Sequence, residues 1–120
     1  MDHYKLVLPQ HMNHHGYLFG GYLLQWIDEF AYITATVEFP GMNFVTVAMK
    51  DVQFNRRVAL GEVIRFAVDR VALGRTSVQY RLRAYGLVVS GDPGEVLFET
   101  VVTFVNVDGQ GKKAQIAASS

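Results

Sequence analysis

The 120-residue chain contains no cysteine. Disulfides, thiolate metal sites and a thiol nucleophile are therefore excluded. It has no excess of either charge: Lys and Arg number 11, Asp and Glu number 11, and the formal net charge is zero. A nucleic-acid partner gets no support from bulk electrostatics. The opening Met-Asp-His-Tyr-Lys-Leu-Val-Leu-Pro lacks a signal peptide's long apolar stretch, so the expected location is cytoplasmic. No internal repeat and no second domain is visible, and residues 1–120 read as one domain. Hydrophobic residues supply 50% of the chain and charged residues only 18%. That is a rich core for so short a chain, and part of it is expected to be shared with a second copy.

One stretch organises the rest: Leu18–Val37, LFGGYLLQWIDEFAYITATV. Asp28 and Glu29 in its middle argue against a membrane span, because carboxylates are expensive at the bilayer centre. A helix of about 18 residues from Gly20 would run roughly 27 Å, the width of a small domain. At about 100° per residue, Tyr22, Trp26, Phe30, Val37, Leu23, Thr34 and Ile27 form a broad bulky arc. Gln25, Glu29, Thr36 and Tyr32 form the wetter, opposite arc. Between them runs a stripe of small residues, Gly20, Gly21, Ala31 and Ala35, broken only by Leu24. Asp28 lies inside that stripe, with room beside it for something other than this helix's own side chains. It is the candidate catalytic residue.

Ahead of the helix, Tyr4–Leu8 is expected to be a short strand ended by Pro9, and Gln10–Gly16 a loop. Phe39–Asn43 ends the helix through Pro40 and Gly41. The pattern then alternates. Phe44–Phe54 is a strand with a change of parity near Lys50-Asp51, as a bulge produces. Glu62–Leu73, Arg75–Tyr85 and Val96–Val107 are further strands, with a turn by composition at Ser90–Gly94. Residues 108–120 are small, polar and expected to fray. A strand, a long helix and four strands make an α+β two-layer domain, one antiparallel sheet curved over one helix. Such a sheet leaves an edge strand to protect, and dimerisation edge to edge is a natural remedy.

Asn13-His14-His15-Gly16-Tyr17-Leu18-Phe19-Gly20-Gly21, followed by Leu23-Leu24, Trp26 and Asp28, resembles the signature of hotdog-fold acyl-CoA thioesterases. The nearest branch is the cytosolic acyl-CoA hydrolases with their small bacterial single-domain relatives. The resemblance continues through Phe54–Gly61 and Gly74-Arg75-Thr76-Ser77. One departure is Arg57, where relatives usually carry proline. The resemblance implies a five- or six-stranded antiparallel sheet around a central helix. It implies homodimers that assemble further into tetramers or hexamers, and acyl-CoA as substrate with no separate cofactor. It also implies an active site at the dimer interface, built from Asn13 of one subunit and Asp28 of the other.

Thioester hydrolysis suits these residues. The attacked carbonyl becomes an oxyanion, and the site must favour that charge over the ground state. The first turn of a helix offers N–H groups without internal partners and the positive end of the macrodipole. Gly20 and Gly21 are the candidate oxyanion hole. Asp28 serves either as general base toward water or as the nucleophile that forms an anhydride. Asn13 offers both a donor and an acceptor to water or thioester. Arg56, Arg57, Gly74, Arg75, Thr76 and Ser77 are candidates for holding coenzyme A. Tyr22, Trp26 and Phe30 either shape an acyl pocket or simply pack on the sheet. His11, His14 and His15 match metal-site spacing poorly, and no metal is expected. The alternatives are a phenylacetate-type aryl-acyl-CoA thioesterase, whose loop usually has histidine where Phe19 stands, and a non-catalytic acyl-CoA binder.

Overall fold

The structure is a computed structural model and describes residues 1–87 and 95–117. Strand β1 (Asp2–Leu6) leads through a short 3-10 turn (Pro9–His11) to the helix α1 (Gly20–Glu38). Strands β2 (Phe44–Phe54), β3 (Val63–Leu73), β4 (Ser77–Leu87) and β5 (Val96–Asn106) follow. They form one antiparallel sheet in the order β1-β3-β4-β5-β2. The expected α+β hotdog architecture is borne out, with five strands. The turn expected at 90–94 lies outside the described residues.

Alternation fixes which face of the sheet meets the helix. Ile64, Phe66 and Val68 of β3 and Val78, Tyr80, Leu82 and Ala84 of β4 are buried, while Arg65 and Arg81 between them point away. From α1, Leu23, Trp26, Ile27, Ala31, Thr34 and Ala35 come down onto that face. Each large side chain so buried contributes about 1.5–3 kcal/mol. Ala31 and Ala35 are completely buried, so the lower half of the small-residue stripe is not open space. Those alanines let the helix axis approach the sheet closely. Only the upper half, from Gly20 to Asp28, stays accessible. Val37, expected on the bulky buried arc, is 59% exposed.

The β2–β5 register shifts between Thr46 and Ala48 and again between Lys50 and Gln53. The second shift lies at the parity change read near Lys50-Asp51, and Asp51 there has a positive φ of 56°. The segment expected to fray is held as far as residue 117. Asp108 Oδ1 accepts from the backbone N–H groups of Gln110 and Lys112. The Asn106 amide donates to the carbonyls of Ala114 and Gln115. Ile116 donates its N–H to Arg75 O at 2.8 Å and buries its side chain. Among the described residues no helix is long and apolar enough to cross a membrane.

Candidate active site

The chain reaches α1 through a tightly bonded loop. Asn13 exchanges backbone hydrogen bonds with Tyr17 and Gly16, and its Oδ1 accepts from the N–H groups of His15 and Tyr17 at 2.9 and 3.1 Å. Gly16 supplies the positive φ of 83° that the turn requires. Leu18 N–H then bonds Val58 O, and Phe19 N–H bonds His11 O. His11 is itself buried: its Nδ1 accepts from Leu8 N–H at 3.0 Å and its ring edge meets Trp26 at 4.8 Å.

Phe19 caps α1 with an extended backbone and no side-chain hydrogen bond, and the first turn holds no acid. Among the described residues nothing accepts a hydrogen bond from Gly20 or Gly21 N–H. The two glycines are bare for different reasons. A Cβ on Gly20 would meet only the tip of the Phe54 ring, at 3.9 Å. One on Gly21 would sit 2.4 Å from the Phe19 ring, which folds over it.

Asp28 is half-buried on the accessible part of the stripe. Thr46 Oγ1 donates to its Oδ1 at 2.6 Å, and Oδ2 has no hydrogen-bond partner among the described residues. Thr46 was missed by sequence reasoning. It sits on edge strand β2 as the polar member of an otherwise apolar run, and only the pairing of strand with helix reveals its partner.

The other candidates divide between the two ends of the molecule. Gly20, Arg56 and Arg57 line one cavity of about 260 Å³ together with Leu18, Leu23, Phe54, Asn55 and Val58. Asn13, His15, Tyr17, Leu18 and Arg57 line an adjoining one of about 400 Å³. Arg56 is occupied within the chain: Nη2 meets Glu62 at 2.8 Å and Nε meets Glu95 at 3.1 Å. Its guanidinium fills the hollow at Gly86, where a Cβ would come within 2.7 Å. That hydrogen bond from Arg56 holds the Glu62 carboxyl below its usual range, and the pairing raises Arg56. Arg57 lies over the Tyr17 ring at 4.8 Å. Gly74, Arg75, Thr76 and Ser77 form the β3–β4 turn at the far end, beyond the C-terminus of α1. There Gly74 N–H bonds Ser77 O at 2.8 Å, and the carbonyls of Arg75 and Thr76 accept from Ile116 and Asn106.

Of the aromatic candidates, Trp26 is buried beneath Lys5, whose Nζ is 5.4 Å from its ring centroid. Phe30 is stacked on His3 at 4.7 Å and lies 5.0 Å from Phe66. Tyr22 packs on His11 and also lines a shallow groove with Phe19, Gly21 and Gln25.

A long helix embraced by one antiparallel sheet is the hotdog fold, here with an uncapped helix N-terminus and a tethered carboxylate two turns further on. The chain belongs to the thioesterase superfamily, whose family model matches residues 15–86. It is 31% identical over 110 residues to the acyl-CoA thioester hydrolase YciA of Escherichia coli, covering 89% of this chain and 83% of that one. The hexameric thioesterase y2039 of Yersinia pestis superposes with a TM-score of 0.88 at 28% identity, over 98% of this chain and 94% of that one. An acyl-CoA hydrolase from Staphylococcus aureus, solved with butyryl coenzyme A and coenzyme A, gives a TM-score of 0.87 at 27% identity, over 98% and 71%. That hydrolase was also crystallised as alanine variants of one asparagine, one aspartate and one threonine.

Proposed function

We propose that the chain hydrolyses acyl-CoA thioesters to free acid and coenzyme A, with Asp28 as the reacting carboxylate. The observation that carries this is the state of Asp28. One oxygen is tethered by Thr46 at 2.6 Å, and the other has no partner among the described residues. A hydrogen bond from a strand to one carboxylate oxygen fixes the direction in which the second can act. In the base route, Oδ2 takes a proton from water as the water oxygen bonds to the carbonyl carbon. The oxyanion is held by Gly20 and Gly21 N–H, the C–S bond breaks, and the proton passes to the thiolate. In the nucleophile route Oδ2 itself bonds to the carbonyl carbon, the C–S bond breaks and coenzyme A leaves as a thiolate that takes a proton from solvent; water then attacks the Asp28 carboxyl carbon of the anhydride and releases the free acid. A single turnover in 18O-water separates them: the first route labels the product acid, and the second places label in Asp28.

Within one chain these parts do not meet. Gly20 and Asp28 are eight residues apart on one helix, about 12 Å along the axis, whereas oxyanion donors and attacking group must converge within about 3 Å of one carbonyl. A second copy therefore supplies the missing half: Asn13, Gly20 and Gly21 of one subunit act with Asp28 and Thr46 of the other. On this reading Gly74–Ser77, at the opposite end of the chain, serve coenzyme A from the second subunit rather than from the one that supplies Arg57. The edge strand β2 carries exposed Val45, Val47, Val52 and Phe54, and continuation of the sheet across that edge covers them. The hexameric relative favours three such dimers per assembly. In the Staphylococcus aureus hydrolase the replaced asparagine precedes the replaced aspartate by fifteen positions, the same separation as Asn13 and Asp28.

The test is complementation. Asn13→Ala and Asp28→Ala proteins are each expected to be folded and inactive. Unfolded together and refolded at equal amounts, they should recover roughly a quarter of wild-type turnover, because half the two-fold dimers then hold one intact site. No recovery would exclude a shared site, and full activity of Asp28→Ala alone would exclude the mechanism.

A further inference from the structure

Two cavities of unlike character adjoin at the start of α1, sharing Leu18 and Arg57. The larger is polar, with Asn13 and His15 on its wall. In the smaller, Leu18, Leu23, Phe54 and Val58 supply apolar wall. Its two cations are spent elsewhere, Arg56 on Glu62 and Glu95 and Arg57 on the Tyr17 ring. Gly20 forms part of its wall, with only the tip of the Phe54 ring close by. A ligand with an apolar arm and an anionic arm joined at one carbonyl matches this pair of spaces.

Resting on the acyl-CoA reading above, we infer that the apolar cavity is the acyl-chain subsite and that Phe54 sets the length of chain it accepts. The cavity holds about 260 Å³. A cavity of about 150 Å³ takes a six-carbon ring, so this space has room for a chain on the order of eight to ten carbons. Phe54 ends β2 with its ring edge-on to Phe98 at 4.7 Å and its tip against Gly20. It thus closes the space between the strand and the helix start. Phe54 belongs to the edge strand and is 54% exposed in the single chain, so it can be shortened without opening that chain's buried core. The substrates are therefore short and medium acyl thioesters, and the limit lies in one ring. Trp26 and Phe30, committed to His11, His3 and Phe66, take no part in it.

The experiment is a panel of straight-chain acyl-CoA esters from acetyl to palmitoyl, with kcat/KM for wild type, Phe54→Leu and Phe54→Ala. Wild type is expected to decline beyond about eight to ten carbons. Phe54→Ala should raise dodecanoyl-CoA relative to butyryl-CoA by at least about tenfold, the low end of what even one methylene in an apolar pocket discriminates. Phe54→Leu should fall between. A profile that keeps its shape in both variants, or a wild type that prefers palmitoyl-CoA, overturns the assignment. The same panel titrated by calorimetry into Asp28→Asn protein reads the subsite without turnover. If wild type hydrolyses none of the esters yet affinity still follows chain length and Phe54, the hydrolase reading fails and the subsite stands. If affinity ignores both, the subsite fails.

Discussion

At its C-terminal end α1 is locked onto the sheet along its inner face, while Ile33 and Val37 stay exposed on the outer one. Tyr80, fully buried, donates its hydroxyl to Glu38 at 2.7 Å, Arg70 lies over the Phe39 ring at 5.3 Å, and Ala31 and Ala35 press on the sheet. At its N-terminal end no side chain caps the backbone, two glycines open the first turn, and two cavities meet. The same helix therefore has one end fixed by packing and one end left with unspent N–H groups. Unsatisfied backbone donors cost stability unless water or a ligand takes them. The C-terminal anchor lets the other end keep that cost, which is what the proposed oxyanion hole requires. Asp28 sits where the two regimes change over.

The largest effect should come from that boundary. Asp28→Asn keeps the shape and the acceptor for Thr46 but removes the proposed base or nucleophile, so kcat should fall by at least about 10³-fold with the melting temperature little changed. General-base removal alone costs about 10²–10⁴. Thr46→Val removes the tether and leaves the carboxylate. A misaimed catalytic group loses up to about 10²-fold, so a drop in kcat of about 10–100-fold with KM nearly constant is expected, with Thr46→Ser restoring most of it. If Thr46→Val turns over normally, the tether is incidental.

At the closed end the reverse pattern should appear. Burial, with Glu38 as hydrogen-bond acceptor, pushes the Tyr80 hydroxyl above its usual range, so it stays a donor at every ordinary pH. Tyr80→Phe removes that one bond and should cost about 1–2 kcal/mol of stability while kcat stays within about twofold. Loss of activity without loss of stability would mean the two ends are coupled more tightly than this contrast allows.

Most of this division was legible in the sequence. Helix bounds, five strands and the bulge near Lys50-Asp51 follow from periodicity, which the sheet pairing then reproduces. Asp28 and the Gly-Gly pair stand out because each breaks a local pattern. What could not be read is what depends on pairing across the sheet. Thr46 meets Asp28 because β2 runs beside the helix. Arg56 is drawn to Glu62 and Glu95 across the hollow at Gly86. Ile116 returns to Arg75 from a tail that is polar in composition. Ala31 and Ala35 looked like open space because small residues mark both clefts and close contacts, and only the sheet's distance tells which.

A smaller effect should track pH. The hydrogen bond from Arg56 lowers the Glu62 carboxyl below its unfolded value near 4.5, so the pair's stabilisation is complete above that pH. It is lost as pH falls through the folded value, because the unfolded state takes up the proton first. Both side chains keep some solvent contact, 29% for Arg56 and 20% for Glu62, so the effect is about 1 kcal/mol. In urea titrations between pH 3 and 7, Glu62→Gln should be less stable than wild type at neutral pH and converge with it in acid. Parallel curves would remove the pair's role in holding the loop beside the cavities.

The finest test concerns the open end itself, because the two glycines should respond differently to the same methyl group. Alanine at Gly20 meets nothing closer than the Phe54 ring at 3.9 Å, an ordinary contact. Its cost is therefore nil, and the gain is the entropy that alanine removes from the unfolded chain, about 0.5 kcal/mol near a helix end. Alanine at Gly21 must displace the Phe19 ring, 2.4 Å away, so that gain is cancelled or reversed. Thermal melts should rank Gly20→Ala above wild type and Gly21→Ala at or below it. The same Gly20→Ala methyl occupies the approach to the first-turn N–H groups, so the stabler protein should be the slower one. A Gly20→Ala protein that is both stabler and fully active would mean that the open end is a packing choice with no part in the chemistry.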